Sequence, residues 1–281
     1  MNHKKEMLMQ AVFFLTACIS ILSVLLICIF LFMNGLPAIQ EIGWGNFLFG
    51  IVWRPANNLF GIFPMIIGSL YVTAGALVTG VPIGILTAVF MAHFCPERWY
   101  RPLKAAINLM AGIPSVVYGF FGLVVLVPFV RDNIGGFGMG VLTASVLLGL
   151  MILPTIISVS EAAIRAVPSS YYEGGLALGA SHERSIFFAV LPAAKRGILA
   201  AVILGIGRAI GETMAVIMVA GNQAILPTSL TSGVRTLTTN IVMEMGYSSG
   251  LHREALIGTA VVLFIFVLLI NSSFSLLHKE E

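Results

Sequence analysis

The run GIGRAIGETMAV places an arginine, Arg208, and a glutamate, Glu212, four residues apart inside an otherwise apolar stretch. Four residues is about one helical turn, so a helix would set both on one face. An ionised side chain at the centre of a bilayer costs about 3 kcal/mol on insertion scales, so two in one stretch call for a reason. Two chemistries fit. The residues can form a self-neutralising ion pair that serves folding alone, a kind of pair that two apolar residues often replace without loss. Alternatively, Arg208 faces a polar pathway, where its planar fork suits a tetrahedral oxyanion. Glu212 would then hold the guanidinium, or weaken its grip enough for release. Gly207 and Gly211 add a GxxxG spacing that admits a neighbouring helix closely.

Two further runs offer polar groups at membrane depth or near it. In AGIPSVVYGFFGL, Pro114 stands between Gly112 and Ser115 at the start of an apolar span. A helix broken there exposes backbone groups that can line a cavity. Ser115 and Tyr118 would offer hydroxyls to an oxyanion, with helix packing the competing use of Tyr118. In SGVRTLTTNI, Arg235, Thr236, Thr238 and Thr239 suit either reception of an ion or contact with a partner; a solvated loop is the alternative.

The largest polar stretch is 161–196. Pro168, Ser169 and Ser170 read as a helix start, and Glu173 follows Ser170 by three, as in a capping box. A short helix over Ser170–Leu178 should follow. Gly174, Gly175, Ala177 and Gly179 are small, which lets another backbone come close; each glycine weakens a helix by about 1 kcal/mol relative to alanine. Leu191 then leads to Pro192, which should open the next element.

Other chemistries find little support. No G-x4-G-K-[ST] loop is present to cradle nucleotide phosphates. His3, His93, His182, His252 and His278 are scattered and mostly near membrane edges, with no converging catalytic or metal-spaced set among them. Cys18, Cys28 and Cys95 form no CxxC pair and read as packing residues. No basic face with interleaved aromatics suggests nucleic acid.

The elements that must position these residues are membrane helices. Of 281 residues 58% are hydrophobic and 10% charged, against about 25% charged in a soluble domain. Six spans of roughly 20 or more mostly apolar residues are expected at 11–33, 62–92, 103–130, 140–160, 197–221 and 255–277. Pro82 should bend the second. The first is too long for a signal-peptide core and reads as a retained helix.

Lys and Arg set the orientation. With the N-terminus inside, the inner segments hold Lys4, Lys5, Arg98, Arg101, Lys104, Arg165, Arg184, Lys195, Arg196 and Lys279. The outer segments hold Arg54, Arg131, Arg235 and Arg253, so both termini should be cytoplasmic. Trp44 and Trp53, in the outer segment 34–61, should sit in the headgroup layer.

The inner stretch is similar to the EAA loop of ABC-importer permeases. Glu173, Gly174 and Gly175 stand where that motif has E-A-A, followed by Gly179, Ala189, Leu191 and Pro192 at its spacing. Glycines replace alanines and Ala189 replaces isoleucine, which keeps size or apolar character. Together with Trp53-Arg54-Pro55, AGIPSVVYGFFG, GRAIGET and SGVRTLTTNI, nearly the whole chain resembles the PstC-type permease of the bacterial phosphate-specific ABC importer.

That resemblance implies an all-α membrane protein of the type I ABC importer permease fold, with six transmembrane helices and a cytoplasmic coupling helix. It implies an N-terminal part, 1–61, and a core permease domain, 62–281. It implies alternating-access transport of inorganic phosphate across the bacterial inner membrane, with Arg208 and Glu212 on the pathway and no catalysis by this chain. The partners would be a sister permease (PstA-type), a dimeric ATP-binding subunit (PstB-type) holding ATP and magnesium, and an extracytoplasmic phosphate-binding protein (PstS-type). A permease for sulfate or molybdate is the nearest alternative, and a structural or signalling membrane protein a weaker one.

Overall fold

The computed structural model describes residues 3–277, with side chains over 6–272. Lys279 and the side chains of Lys4 and Lys5, counted above as inner charges, lie outside the described residues.

The apolar runs fold as helices because a chain in hydrocarbon must satisfy its backbone polar groups internally. In chain order these are α1 (His3–Ile42) and α2 (Trp44–Phe49), then a two-stranded antiparallel hairpin. Its strands β1 (Trp53–Arg54) and β2 (Leu59–Phe60) pair Trp53 with Phe60 and Arg54 with Leu59. Helix α3 (Phe63–Phe94) is followed by α4 (Glu97–Gly112), α5 (Ser115–Asn133) and α6 (Val141–Arg165). The chain closes with α7 (Ser169–Ala177), α8 (His182–Gly211), α9 (Met214–Val219), α10 (Leu237–Met245) and α11 (Gly250–Leu277). Among the described residues α1, α3, α5, α6, α8 and α11 are long and apolar enough to cross a membrane.

Helix α6 is the centre of the bundle. Its Leu147, Met151, Ile152 and Ile156 are buried among residues of α3, α5, α8 and α9. Lipid tails are as apolar as leucine, so close packing rather than water exclusion holds such helices together. A Cβ added at Gly80 of α3 would lie 2.8 Å from the Gly149 carbonyl of α6; only glycine permits that approach. Helix α1 is different. Its 6–30 stretch is exposed apart from half-buried Cys28, and it meets the bundle further along, where Gly35 and Ile39 pack on Gly258 of α11.

Several boundaries differ from the sequence reading. The third span begins at Ser115, because the chain is extended at Ile113 and Pro114; Glu97–Gly112 is a separate amphipathic helix. Pro192 stands, as expected, in the first turn of the α-helical stretch Leu191–Gly211, but that stretch is continued backward to His182 through a π-turn at Ile186–Val190, the kind of local adjustment that lets a membrane helix absorb proline. The fifth span is broken, with α8 ending at Gly211. Trp53 is buried within the fold, where its indole donates to Glu244.

Candidate functional site

Arg208 and Glu212 do not share a helix face. Glu212 follows the last residue of α8 and is extended (ψ 132°), so the expected one-turn pairing is lost. Its Oε1 accepts hydrogen bonds from the amides of Thr213 and Ala215, each at 3.1 Å, satisfying donors at the start of α9 that no helix carbonyl can reach. Thr238 Oγ1 donates to its carbonyl oxygen at 3.1 Å.

Half-buried Arg208 has no side-chain hydrogen bond or ion pair among the described residues. It is near enough to Tyr118 for its charge to act on that phenol. Gly140 N donates to Val219 O at 3.0 Å, which sets the end of α9 level with the start of α6. A Cβ at Gly205 would lie 3.2 Å from the Ile156 side chain, so Arg208, three residues further along α8, stands beside the middle of α6. An unpaired guanidinium therefore stands near mid-depth of the bundle.

The other polar groups of this region are less free. Tyr118 donates its hydroxyl to the Met110 carbonyl at 3.0 Å, across the Ile113–Pro114 break. It ties α4 to α5 and has no proton left to donate. Ser115 is half-buried in the first turn of α5. Gly207 and Gly211 approach no helix of this chain: a Cβ at either meets nothing within 4 Å.

At the α7 end, the short helix forms close to the expected bounds but without the capping box: Pro168 is the N-cap and no side chain caps it. Glu173 is exposed. Tyr172 holds α7 to α8 through its hydroxyl and His182 Nδ1 at 2.7 Å, and the His93 ring of α3 stacks on Tyr172. A Cβ at Gly175 would lie 2.6 Å from Ser185 Oγ, whereas one at Gly174 or Gly179 meets nothing. Gly179, at φ +83°, makes the left-handed turn after the helix. So Gly175 seats α7 on α8 while Gly174 faces outward. Leu191 is partly buried against Ala194 and Ile164, and Pro192 is exposed. Tyr171, Leu176 and Leu178 project from the same end, Leu178 91% exposed.

Two buried carboxylates escaped the sequence reading. Glu161 accepts from Lys104 (2.6 Å), Tyr100 (2.7 Å) and Arg165 (2.9 Å), clamping α4 to α6. That hydrogen bond pushes the Tyr100 phenol above its usual range. Glu244 accepts from Arg235 (2.7 Å) and Trp53 Nε1 (2.9 Å) and lies 2.9 Å from His252 Nε2. Arg235 also reaches Asn240 and the Asn222 carbonyl. The Arg235 segment is thus neither a solvated loop nor a free receptor: Thr236 and Thr239 form a capping box that starts α10, and Thr238 is buried. Glu161 and Arg165, spaced i,i+4 at a span's end, were a legible signal; the lone Glu244 in IVMEMGY was a faint one.

Residues 80–279 match the family model described as "Binding-protein-dependent transport system inner membrane component". The chain is 39% identical over 269 residues to the probable ABC transporter permease protein YqgH of Bacillus subtilis, covering 91% of this chain and 87% of that one. It is 33% identical over 265 residues to the phosphate transport system permease protein PstC of Mesorhizobium japonicum, covering 87% and 81%. Among solved structures, a bacterial alginate ABC transporter bound to its periplasmic protein aligns with TM-score 0.65 at 19% identity, over 98% of this chain and 96% of that one. The MetNI methionine transporter, inward facing, aligns with TM-score 0.59 at 22% identity, over 80% and 97%. These two show a shared fold.

Proposed function

The chain belongs to the family of binding-protein-dependent transport system inner membrane components, and from that membership we propose that it is the permease subunit that carries inorganic phosphate through an ATP-driven importer. Relatives named as phosphate transport permeases support the choice of ion. The observation that carries the reading is Arg208, an unpaired cation near mid-depth. A charge left there without a partner is a functional group by default, and a planar guanidinium fits a tetrahedral oxyanion in two-pronged fashion.

Helix α8 links that cation to the α7 end. From His182 to Arg208 it rises about 39 Å. Because α7 is seated on its first turns, a displacement of α7 is a displacement of the rod bearing Arg208. In our reading α7 docks into a cleft on a dimeric ATP-binding subunit (PstB-type), which holds ATP and magnesium. Closure of that dimer draws α7 inward and opens the opposite side, where an extracytoplasmic phosphate-binding protein (PstS-type) delivers its ion. The open faces at Gly207 and Gly211 meet a sister permease (PstA-type), which completes the pathway. The excess of Lys and Arg at the α7 end makes that end cytoplasmic, and both termini with it. Glu212, Ser115 and Tyr118 border the path, Tyr118 as a brace for the α4–α5 break.

The test is uptake by the assembled complex in vesicles. Labelled phosphate should accumulate with ATP, and sulfate and molybdate should not. Accumulation of sulfate instead of phosphate would overturn the assignment. The purified chain alone should hydrolyse no ATP.

A further inference from the structure

Helix α4 carries three different faces. Tyr100, Lys104 and Ile107 form the face turned to α6: the first two hydrogen-bond Glu161, and Ile107 packs with Leu153 and Ile157. The helix therefore runs alongside α6, from Glu161, one turn before its end, towards Leu153 at its middle. The second face is apolar and open. Trp99 is 55% exposed and Leu109 73%, with Leu103 and Ala106 exposed between them. Arg98 and Arg101 stand on the third face, at the Trp99 end, and both are exposed. Neither has a hydrogen bond or ion pair among the described residues, although Glu97 is one turn from Arg101. Like charges about one turn apart weaken a helix, unless an anion lies between them.

We propose that the first turns of α4 bind an anionic phospholipid, with Arg98 and Arg101 on its headgroup phosphate, Trp99 in the headgroup layer and an acyl chain along Leu103, Ala106 and Leu109. The order of groups along the helix matches such a lipid. The two guanidiniums and the indole lie level with Glu161, near the end of a membrane span. The apolar stripe runs from there about 15 Å towards mid-depth. Arginine offers charge-assisted hydrogen bonds to a phosphate, and indole rings favour the headgroup layer. A water-soluble partner would account for the arginines but not for an apolar stripe that reaches the level of Leu153. A zwitterionic lipid brings its own cation to its phosphate, whereas an anionic one does not, so two unpaired arginines select the anionic kind. At the end proposed above to be cytoplasmic, the leaflet is rich in such lipid. A lipid held there steadies the helix that leads, through Gly112, to the break at Pro114. The site requires that the chain cross a bilayer, and nothing about which ion it carries.

The experiment is tryptophan fluorescence of the assembled importer in mixed vesicles of phosphatidylcholine and phosphatidylglycerol. Bromine, a contact quencher, is placed on the chains of one lipid or the other at equal total content. The difference between the wild type and Trp99→Phe isolates Trp99 from every other tryptophan of the complex. Both leaflets hold the same lipids, so the result does not depend on which way α4 faces. Quenching of Trp99 should show phosphatidylglycerol preferred by about tenfold, as two cations beside an anionic lipid allow. Arg98→Gln combined with Arg101→Gln should bring the two lipids to parity, with Trp99 still quenched. Equal quenching by both lipids in the wild type would refute the headgroup site. Quenching by neither would mean that protein, such as a sister permease, covers this face, and would refute the lipid as its occupant. A preference that survives in the double variant would refute the role of the arginines. Should the double variant fail to assemble, the wild-type comparison at high salt decides: screening should shrink the preference, and a preference untouched by salt overturns the proposal.

Discussion

Thr238 Oγ1 donates to the Glu212 carbonyl oxygen at 3.1 Å, across the gap where α8 has ended and α9 has not begun. Breaking a helix at membrane depth leaves carbonyls without partners, and here the start of α10 supplies one. The same α10 carries Glu244 at its other end, so one hydrogen bond joins the outer network to the rod bearing Arg208. Thr238→Val keeps the shape but strands that carbonyl, at a cost of about 1–3 kcal/mol. Labelled phosphate uptake at matched membrane levels should fall severalfold, while Thr238→Ser should transport normally.

Gly174 and Gly175 separate two roles on one short helix. A side chain at Gly175 runs into Ser185, so Gly175→Leu should lift α7 from α8, with an overpacking cost of about 1–3 kcal/mol. The ATP-binding subunit should then hydrolyse ATP without moving phosphate. Gly174→Leu meets nothing in this chain and should leave its thermal stability unchanged while weakening co-purification of the ATP-binding subunit.

Glu244 is the only carboxylate hydrogen-bonded to half-buried Arg235 among the described residues. Glu244→Ala would remove the charge that compensates that guanidinium and also strand the Trp53 indole. Arg235 is partly exposed, so the cost falls below the about 3–5 kcal/mol of a fully buried pair, and the melting temperature of the detergent-solubilised chain should still drop. Trp53→Phe loses one hydrogen bond, about 1 kcal/mol, and should shift it far less.

The Glu161 clamp makes a parallel case at the α7 end. Tyr100→Phe should cost about 1 kcal/mol and leave transport intact. Glu161→Ala frees Lys104 and Arg165 together, so α4 should become open to proteases added to inside-out vesicles, as the wild type is not.

Much of this architecture was legible in the sequence because lipid imposes one rule: long apolar runs must be helices. The six spans follow from it, while the short helix after Pro168 and the break at Pro114 follow from proline's own limits. What escaped was whatever depends on a second element. Arg208 and Glu212 look like a one-turn pair until the helix ends between them, and nothing local announces that end, since Gly211 is as permissive within a helix as after it. Trp53 reads as an interfacial anchor until Glu244, 191 residues away, proves to be its acceptor. Pro192 reads as a start and does open the stretch Leu191–Gly211; what escaped was the π-turn that extends the helix back to His182. The partners of Arg235 likewise became visible only once α10 and the Asn222 turn were folded against it.

The most direct measurement is ATP-driven uptake of labelled phosphate by vesicles holding the assembled complex, comparing the wild type with Arg208→Gln at equal subunit ratios. The account predicts a loss of about a hundredfold or more with the complex intact. Uptake by Arg208→Gln at the wild-type rate would contradict it.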